Sequence, residues 1–333
     1  MNQLSKELLE ITAPFINDET DEKFLAEASL KYRNLLLVQT EIDRGNPINE
    51  EHIQGRNGKA VSLNTAVDCL DDHNRTKTFI LGTYKAIQSL LKKGKKEIHI
   101  LYAGTGPFAA ILLPSMLRLQ GERINYTLLD INSTTLTGLR LLLDKLDLKM
   151  NLIEIVRADA TTYEIDANKG YDIIISETMQ AALAREQQVS VFLNLMKQSH
   201  EDVVFIPEKI EVLLGIRSMG LSNYELTKEN CTELDPVFEV SKEAMRNKLR
   251  KNELPTAFPK TSSSIEKNAL IDKDLLLLIT KIKVFDDQVL DIQESGLTMP
   301  LIIDNISMKG EQDLSVDVQY VISEEPKFEF EIK

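Results

Sequence analysis

EIHILYAGTGPFA, residues 97–109, is a short apolar run that leads into two glycines separated by one residue. Its first part is apolar on both faces, which is typical of a strand covered by helices on both sides. Gly104 and Gly106 follow, and such a turn lets the backbone approach a ligand closely while the next helix offers free N–H groups. The stretch therefore predicts a strand, a tight turn and a helix at 108–120, which Pro114 should bend or shorten.

The alternation of strand and helix continues beyond this turn. Strands are predicted at INYTLLD (124–130), NLIEIVRAD (151–159) and YDIIISE (171–177). A helix is predicted at 133–146, between the first two of them. This order predicts an α/β fold, with a Rossmann-like parallel sheet and helices on its faces.

The pattern changes on both sides of this unit. Residues 1–45 have apolar positions at helical spacing, and GRNGKAVSL (55–63) is predicted to be a loop. After Pro207, short alternating runs predict antiparallel strands, interrupted by a polar, partly helical stretch at about 223–252. We therefore predict an N-terminal helical segment at 1–60, an α/β domain at 61–206 and a mostly β, barrel-like domain at 207–333.

Composition narrows the classes of function. The 333 residues carry a formal net charge of -13, which disfavours a nucleic-acid partner and would attract a cationic substrate, or simply keeps the protein soluble. No apolar run is long enough to span a membrane. The N-terminus lacks the layout of a secretion signal, and Cys69 and Cys231 are isolated thiols without metal-ligand spacing. We expect a cytoplasmic protein with no metal site and no membrane contact.

Acidic residues stand at the ends of two further predicted strands. Asp130 could accept hydrogen bonds from both ribose hydroxyls of a nucleotide; alternatively it caps the next helix, although Asn132 and Ser133 already serve that end. Asp159 could accept from an adenine amino group, or could make a local turn. The turn with Gly104 and Gly106 is weak evidence by itself, because many tight turns contain two glycines. Because successive strand ends face one crevice in an open parallel sheet, the three features together predict an adenosine-type cofactor.

Two further motifs flank the predicted sheet. CLDDHNRT (69–76) has the spacing D-x-x-R-T before the first strand, and SETMQAALARE (176–186) places two glutamates nine positions apart after the fourth. With FIPEKIEVLLGI (205–216), these stretches resemble the protein arginine N-methyltransferases, class I enzymes that use S-adenosylmethionine (SAM). The resemblance extends from about residue 65 to 215 and continues more loosely to the C-terminus.

The resemblance implies roles for these residues. It assigns Arg75 to the SAM carboxylate, and Glu177 and Glu186 to the catalytic pair that holds the target guanidinium. The implied set of cofactor-binding residues is Arg75, Ala103, Gly104, Gly106, Asp130, Asp159 and Ala160. Without the resemblance, Arg75 would be expected to form a surface salt bridge with Asp71 or Asp72. Glu177 would cap a helix, and Glu186 would be solvated.

Paired carboxylates suit guanidino chemistry for a physical reason. A guanidinium stays protonated in proteins and presents its donors in a planar fork. A carboxylate matches that fork with two hydrogen bonds and orients it. Two carboxylates also polarise the delocalised cation, so that one nitrogen is richer in electron density and can attack a methyl donor held in line with it.

The chain departs from the family at its substrate-facing motifs. It has no tryptophan, Thr178 follows the first glutamate, ESGLTMPLI (294–302) replaces the histidine-containing T-H-W loop, and GRNGKAVSLNTA (55–66) replaces an aromatic lid motif. We therefore predict a SAM-dependent N-methyltransferase of a small guanidino compound such as free L-arginine. The alternatives are methylation of arginine in a protein or peptide, and a non-catalytic scaffold. The resemblance also implies a homodimer, formed through 223–252 or 1–45.

Overall fold

The computed structural model describes residues 1–146, 148, 152–166, 168–219, 230–246, 248, 255–307 and 312–333. The N-terminal part is mostly helical, as predicted. Its elements are α1 (Gln3–Ile11), α2 (Ala13–Ile16), α3 (Glu22–Thr40), the hairpin strands β1 (Ile53–Gly55) and β2 (Gly58–Ala60), α4 (Leu63–Asp68) and α5 (His73–Lys92).

A five-stranded parallel sheet follows. Its strands are β3 (Ile98–Ala103), β4 (Ile124–Asp130), β5 (Ile153–Arg157), β6 (Ile173–Ser176) and β7 (Val204–Ile206), and the intervening helices are α6 (Leu113–Arg118), α7 (Ser133–Leu146) and α8 (Gln188–Met196). The strand order is β5-β4-β3-β6-β7, so successive connections run outward from β3 and then return to its other side. This reversal opens a crevice at the carboxyl end of β3, where α/β proteins bind their ligands. The predicted parallel α/β sheet is confirmed.

Pro114 explains why the first helix after the turn is short. The helix predicted at 108–120 is reduced to α6, which begins at Leu113 and carries Pro114 in its first turn. Proline fits there because the first N–H groups of a helix have no partner within the helix. The residues before α6, 106–112, form turns, and several of them line the crevice.

The C-terminal part is antiparallel β structure, as predicted. One sheet has the order β12-β11-β8-β9 with β13 paired to β11, and a second has the order β10-β14-β15. The strands are β8 (Lys209–Arg217), β9 (Cys231–Ser241), β10 (Thr261–Ile265), β11 (Leu275–Phe285), β12 (Gln288–Leu290), β13 (Leu301–Asn305), β14 (Leu314–Val321) and β15 (Lys327–Ile332). Aromatic rings fill the space between the sheets, with Phe238 stacked 4.8 Å from Tyr320.

The partly helical stretch predicted at about 223–252 is mostly a strand in its described part. β9 occupies Cys231–Ser241 and pairs with β8, and only α9 (Lys242–Arg246) is helical. Phe238 and Val240 are buried in β9, so packing between strands stabilises a segment in which polar and apolar residues are mixed. Residues 220–229, 247 and 249–254, on which the rest of this prediction falls, lie outside the described residues.

The two parts share one apolar core. It runs continuously from Leu8 in α1, through both faces of the parallel sheet, to Phe328 in β15. α5 connects them because it contacts β6 and β7 as well as β11 and β12. α5 therefore packs against both parts. Among the described residues, no helix combines the length and apolar character needed to cross a bilayer.

Candidate active site

A cavity of about 500 Å3 opens at the carboxyl ends of β3, β4 and β5. Its wall is built from the turn after β3, the residues after β6, the start of α5, the hairpin strand β2 and the loop near residue 296. Its charged lining residues are Lys59, Asp72, Arg75, Asp130, Glu177 and Glu186. The parallel sheet and the C-terminal β structure therefore both contribute to one site.

The turn after β3 is held open by its glycines and tied to Asp130. Gly104 has a φ of +78°, and a Cβ there would lie 2.5 Å from Cγ2 of Thr178. The Gly106 N–H donates to Oδ2 of Asp130 at 3.0 Å, and the Asn132 N–H donates to Oδ1 at 2.9 Å. Burial raises the pKa of Asp130 to about 6, against these backbone donors. A half-buried acceptor at this position favours a ligand that brings hydroxyl donors.

The alternative role for Asp130, capping the next helix, is taken by another residue. Asn132 Oδ1 accepts from the N–H groups of Thr134 and Thr135 in α7. Asp130 instead reaches back to the glycine turn and lines the cavity. The Asp130 side chain is therefore held by the glycine turn at the cavity and does not cap α7.

The other residues predicted to bind a cofactor fall into two groups. Arg75, Gly104, Gly106 and Ala160 line the cavity. Ala103 and Asp159 are not among the described residues that form its wall, although Ala158 beside Asp159 is. The Asp159 carboxylate accepts from the N–H and hydroxyl of Thr161, both at 2.8 Å, so its side chain makes the local turn considered from the sequence.

Arg75 forms a buried ion pair with Glu177, not a surface pair with Asp71 or Asp72. Burial alone would lower the pKa of the Arg75 guanidinium, but the charges and hydrogen bonds of Glu177 and Cys69 together outweigh burial and raise that pKa. Burial raises the pKa of Glu177, whose side chain is only 3% exposed, although Arg75 opposes the shift. The second Glu177 oxygen, Oε1, is buried without a hydrogen-bond partner among the described residues. An orphaned buried acceptor of this kind favours a cationic donor.

Glu186 is buried in the same cavity, so it is not the solvated residue of the alternative interpretation. Burial, and then the charge of Glu177, raise its pKa to about 7, while Arg75, Gln180 and Lys59 oppose the rise. Two carboxyl groups that repel each other in a water-poor site would both be relieved by a shared cation. The sequence spacing of nine residues thus brings both glutamates to one cavity.

The loop that replaces the T-H-W motif also reaches this site. Asp72 caps α5 by accepting from the Arg75 N–H at 3.0 Å. Its other oxygen accepts from the Ser295 hydroxyl at 2.7 Å and from the Gly296 N–H at 2.8 Å. The start of α5, which carries Arg75, is therefore fastened to the C-terminal β structure.

Sequence reasoning missed the hairpin that forms one wall of the site. Residues 55–63 were expected to be a loop, but β1 and β2 pair across them and bring Lys59 to the cavity. The signal was present, because Asn57 and Gly58 form a dipeptide that favours tight hairpin turns. Cys69 was also missed as a lining residue; burial raises the pKa of its thiol.

Comparison with solved structures identifies the fold. A crystal structure of PRMT6 with SAH superposes with a TM-score of 0.58 at 11% identity, over 82% of this chain and 100% of that one. The chain has the fold of the protein arginine methyltransferases. The PRMT1 enzyme–prozyme complex of Trypanosoma brucei with AdoHcy gives a TM-score of 0.50 at 14% identity, over 80% and 97% of the chains. A second PRMT6 structure gives 0.51 at 11%, over 75% and 99%.

The relationship is visible in the fold and not in the sequence as a whole. No protein-family profile and no curated protein sequence matches the chain. Identities of 11–14% establish the shared arginine methyltransferase fold alone. The chemistry of the site therefore depends on the side chains that this chain places in the cavity.

Proposed function

We propose that the protein is a SAM-dependent N-methyltransferase that methylates a guanidino group on a small molecule, with free L-arginine as the simplest substrate. The observation that carries this proposal is the pair of buried glutamates, Glu177 and Glu186, in one cavity. Both pKa values are raised, and one Glu177 oxygen has no partner among the described residues. A bound guanidinium would bring the missing charge and the missing donors together.

SAM fits the other end of the cavity, and when bound it supplies an electrophilic methyl group on its sulfonium. Asp130 and the glycine turn offer a carboxylate and close backbone approach for a ribose. Arg75, which lines the same cavity, would hold the cofactor's carboxylate. Two of the superposed structures, PRMT6 with SAH and the trypanosomal PRMT1 complex with AdoHcy, contain the demethylated form of this cofactor.

The charges along the cavity wall favour the binding of two cationic molecules at once. Four carboxylates, Asp72, Asp130, Glu177 and Glu186, face two cations, Lys59 and Arg75, which leaves a formal excess of two negative charges when all are ionised. SAM and a guanidinium each carry a net charge of about +1 at neutral pH, because both the guanidinium and the sulfonium are permanently cationic under these conditions. Binding both would neutralise the site.

The chain's own residues perform two tasks in this proposal. Glu177 is already fixed by Arg75, so its free oxygen has a defined direction. Glu186, at the other end of the 177–186 segment, also lines the cavity. Together they would hold the guanidinium plane, draw positive charge toward two of its nitrogens and leave the third more nucleophilic. Water exclusion strengthens these interactions, because charges attract more strongly at low dielectric.

A small substrate is favoured by the parts of the chain that differ from the family motifs. The 294–302 loop, which lacks the family's histidine, is fastened to Asp72 at the cavity wall. The hairpin β1–β2 occupies the sequence position at which the arginine methyltransferases have an aromatic lid motif.

The alternative substrate is arginine in a protein or peptide. A methyl-transfer assay that compares free arginine with arginine peptides tests both; if neither is methylated, the guanidino assignment is wrong.

Asp130→Ala should weaken SAM binding. The substitution removes the carboxylate that would accept from the ribose hydroxyls, and we expect a loss of about 1–3 kcal/mol in binding free energy. Isothermal titration calorimetry with SAM measures the difference directly. Asp159→Ala is the comparison variant, since the Asp159 side chain bonds to Thr161 and should matter less. Wild-type protein that does not bind SAM at all would contradict the cofactor assignment.

We also expect a homodimer. The candidate contact segments remain 1–45 and the residues near 223–252, part of which lies outside the described structure. α3, in the first segment, exposes Phe24 and Val38 on its outer surface. Light scattering at micromolar concentration provides the measurement, and a monomer mass would refute the expectation.

A further inference from the structure

Lys59 is held on the cavity wall by backbone contacts that do not involve its side chain. Its N–H donates to the Arg185 carbonyl at 2.9 Å, and the Gln187 side chain donates to the Gly58 carbonyl at 3.0 Å. Gly58 has a φ of +121°, and a Cβ there would lie 2.9 Å from the carbonyl carbon of Glu186. The hairpin therefore sits directly against the segment that carries the second glutamate.

The ammonium group of Lys59 is uncommitted. Among the described residues it has no ion-pair partner, whereas Arg75, the other cation on the wall, is held by Glu177. Lys59 is half-buried and close enough to Glu186 for its charge to lower the pKa of that carboxyl. The cavity thus presents two buried carboxylates and, beside the second of them, a cation that forms no ion pair within the described part of the chain.

We infer that Lys59 binds the carboxylate of a guanidino amino acid whose guanidinium is held by Glu177 and Glu186. The inference rests on the proposed function and adds the second anchor of the substrate. A free amino acid such as L-arginine carries a cation at one end and a carboxylate at the other, which matches this order of charges. An arginine within a peptide has an amide in place of that carboxylate, and offers Lys59 nothing to neutralise.

The test compares substrates that differ only at the proposed anchor. L-Arginine and L-argininamide have the same guanidinium and nearly the same size, but the amide lacks the negative charge; agmatine lacks the group altogether. Wild-type protein should methylate L-arginine with a kcat/KM roughly ten- to a hundredfold higher than either analogue, the range expected for a charge-assisted contact. Calorimetric affinities for the three compounds should follow the same order.

Lys59→Met should erase that preference. It keeps the length of the side chain and the backbone contacts but removes the charge, so kcat/KM should fall for L-arginine and stay unchanged for L-argininamide. Lys59→Arg should retain the preference, and SAM affinity should be the same in all variants. Arg56→Met is the matched control, because Arg56 lies exposed at the turn of the same hairpin.

Each other outcome overturns the inference in a distinguishable way. An equal loss for L-arginine and L-argininamide would mean that Lys59 only tunes Glu186. Weaker SAM binding in Lys59→Met would assign Lys59 to the cofactor. Wild-type protein that methylates the three compounds equally, or peptides far better, would leave the methyltransferase proposal standing without the carboxylate anchor. Wild-type protein that methylates no guanidino compound would remove the proposed function and the anchor together.

Discussion

Glu186→Gln and Glu177→Gln should each reduce methyl transfer to L-arginine by about a hundredfold or more, while SAM affinity changes little. Each substitution keeps the size of the side chain and one acceptor oxygen but removes the charge that faces the guanidinium. Losing one oriented electrostatic group typically costs about 2–4 kcal/mol in transition-state stabilisation. Single-turnover rates with saturating SAM would measure the chemical step, and calorimetry would measure cofactor binding.

The control for this experiment is Glu164→Gln, an exposed glutamate away from the cavity, which should behave as wild type. The pH profile supplies a second readout. Because the pKa of Glu186 is raised to about 7, the ionised form that binds a cation increases through neutral pH. kcat/KM should therefore rise between about pH 6 and pH 8 in the wild type, and this inflection should disappear in Glu186→Gln. Near wild-type rates in both Gln variants would contradict the guanidino mechanism. Only the proposal of a SAM-dependent methyltransferase with an unspecified substrate would then remain.

Arg75→Met should be the most destabilising single change at the site. It leaves the Glu177 carboxylate buried without its counter-charge, and breaking a buried pair in this way costs about 3–5 kcal/mol. The cost depends on pH because Glu177 can take up a proton. A carboxyl group whose pKa is higher in the folded than in the unfolded protein makes the fold less stable as pH rises. This loss begins above the pKa of glutamate in the unfolded protein, about 4.3. The loss should therefore be smallest in acid and largest at neutral pH.

Chemical denaturation at several pH values would measure this loss. The double variant Arg75→Met, Glu177→Gln should recover much of the stability, since no buried charge remains. Arg44→Met removes a cation from a partly exposed pair with Asp68, 2.7 Å apart, and should cost less than about 1 kcal/mol. If Arg75→Met were no more harmful than Arg44→Met, or if its effect did not vary with pH, the Arg75–Glu177 pair would not be the buried ion pair described above.

The site was predictable where it depends on the order of strands. Gly104 and Asp130 follow successive strands of a parallel sheet, and the carboxyl ends of such strands meet at one edge whatever the rest of the chain does. Their roles in cofactor binding stay predictions. Asp159 has the same kind of position, yet its side chain bonds to Thr161. Strand order places the backbone at the crevice, but a short polar side chain can still be captured by its nearest neighbours.

The C-terminal part shows the limit in a different form. The runs LLLLITKIKVF and LSVDVQYVI were recognised as strands because their apolar residues alternate or dominate. β9 was missed because polar and apolar residues do not alternate regularly along CTELDPVFEVS, and its pairing with β8 cannot be read from composition. The hairpin β1–β2 was missed for a similar reason, because three-residue strands carry too few positions for a periodic pattern.

The sequence by itself determined the parallel sheet, the glycine turn and the presence of two glutamates beyond the fourth strand. Those features arise from local periodicity and from residues next to each other in the chain. Only the tertiary structure decided that Arg75 pairs with Glu177, 102 residues away, and that Lys59 lies beside Glu186 without an ion-pair partner among the described residues. Burial and ion pairing depend on which distant segments of the chain come into contact, and the low dielectric between those segments strengthens the interactions of the charges buried there.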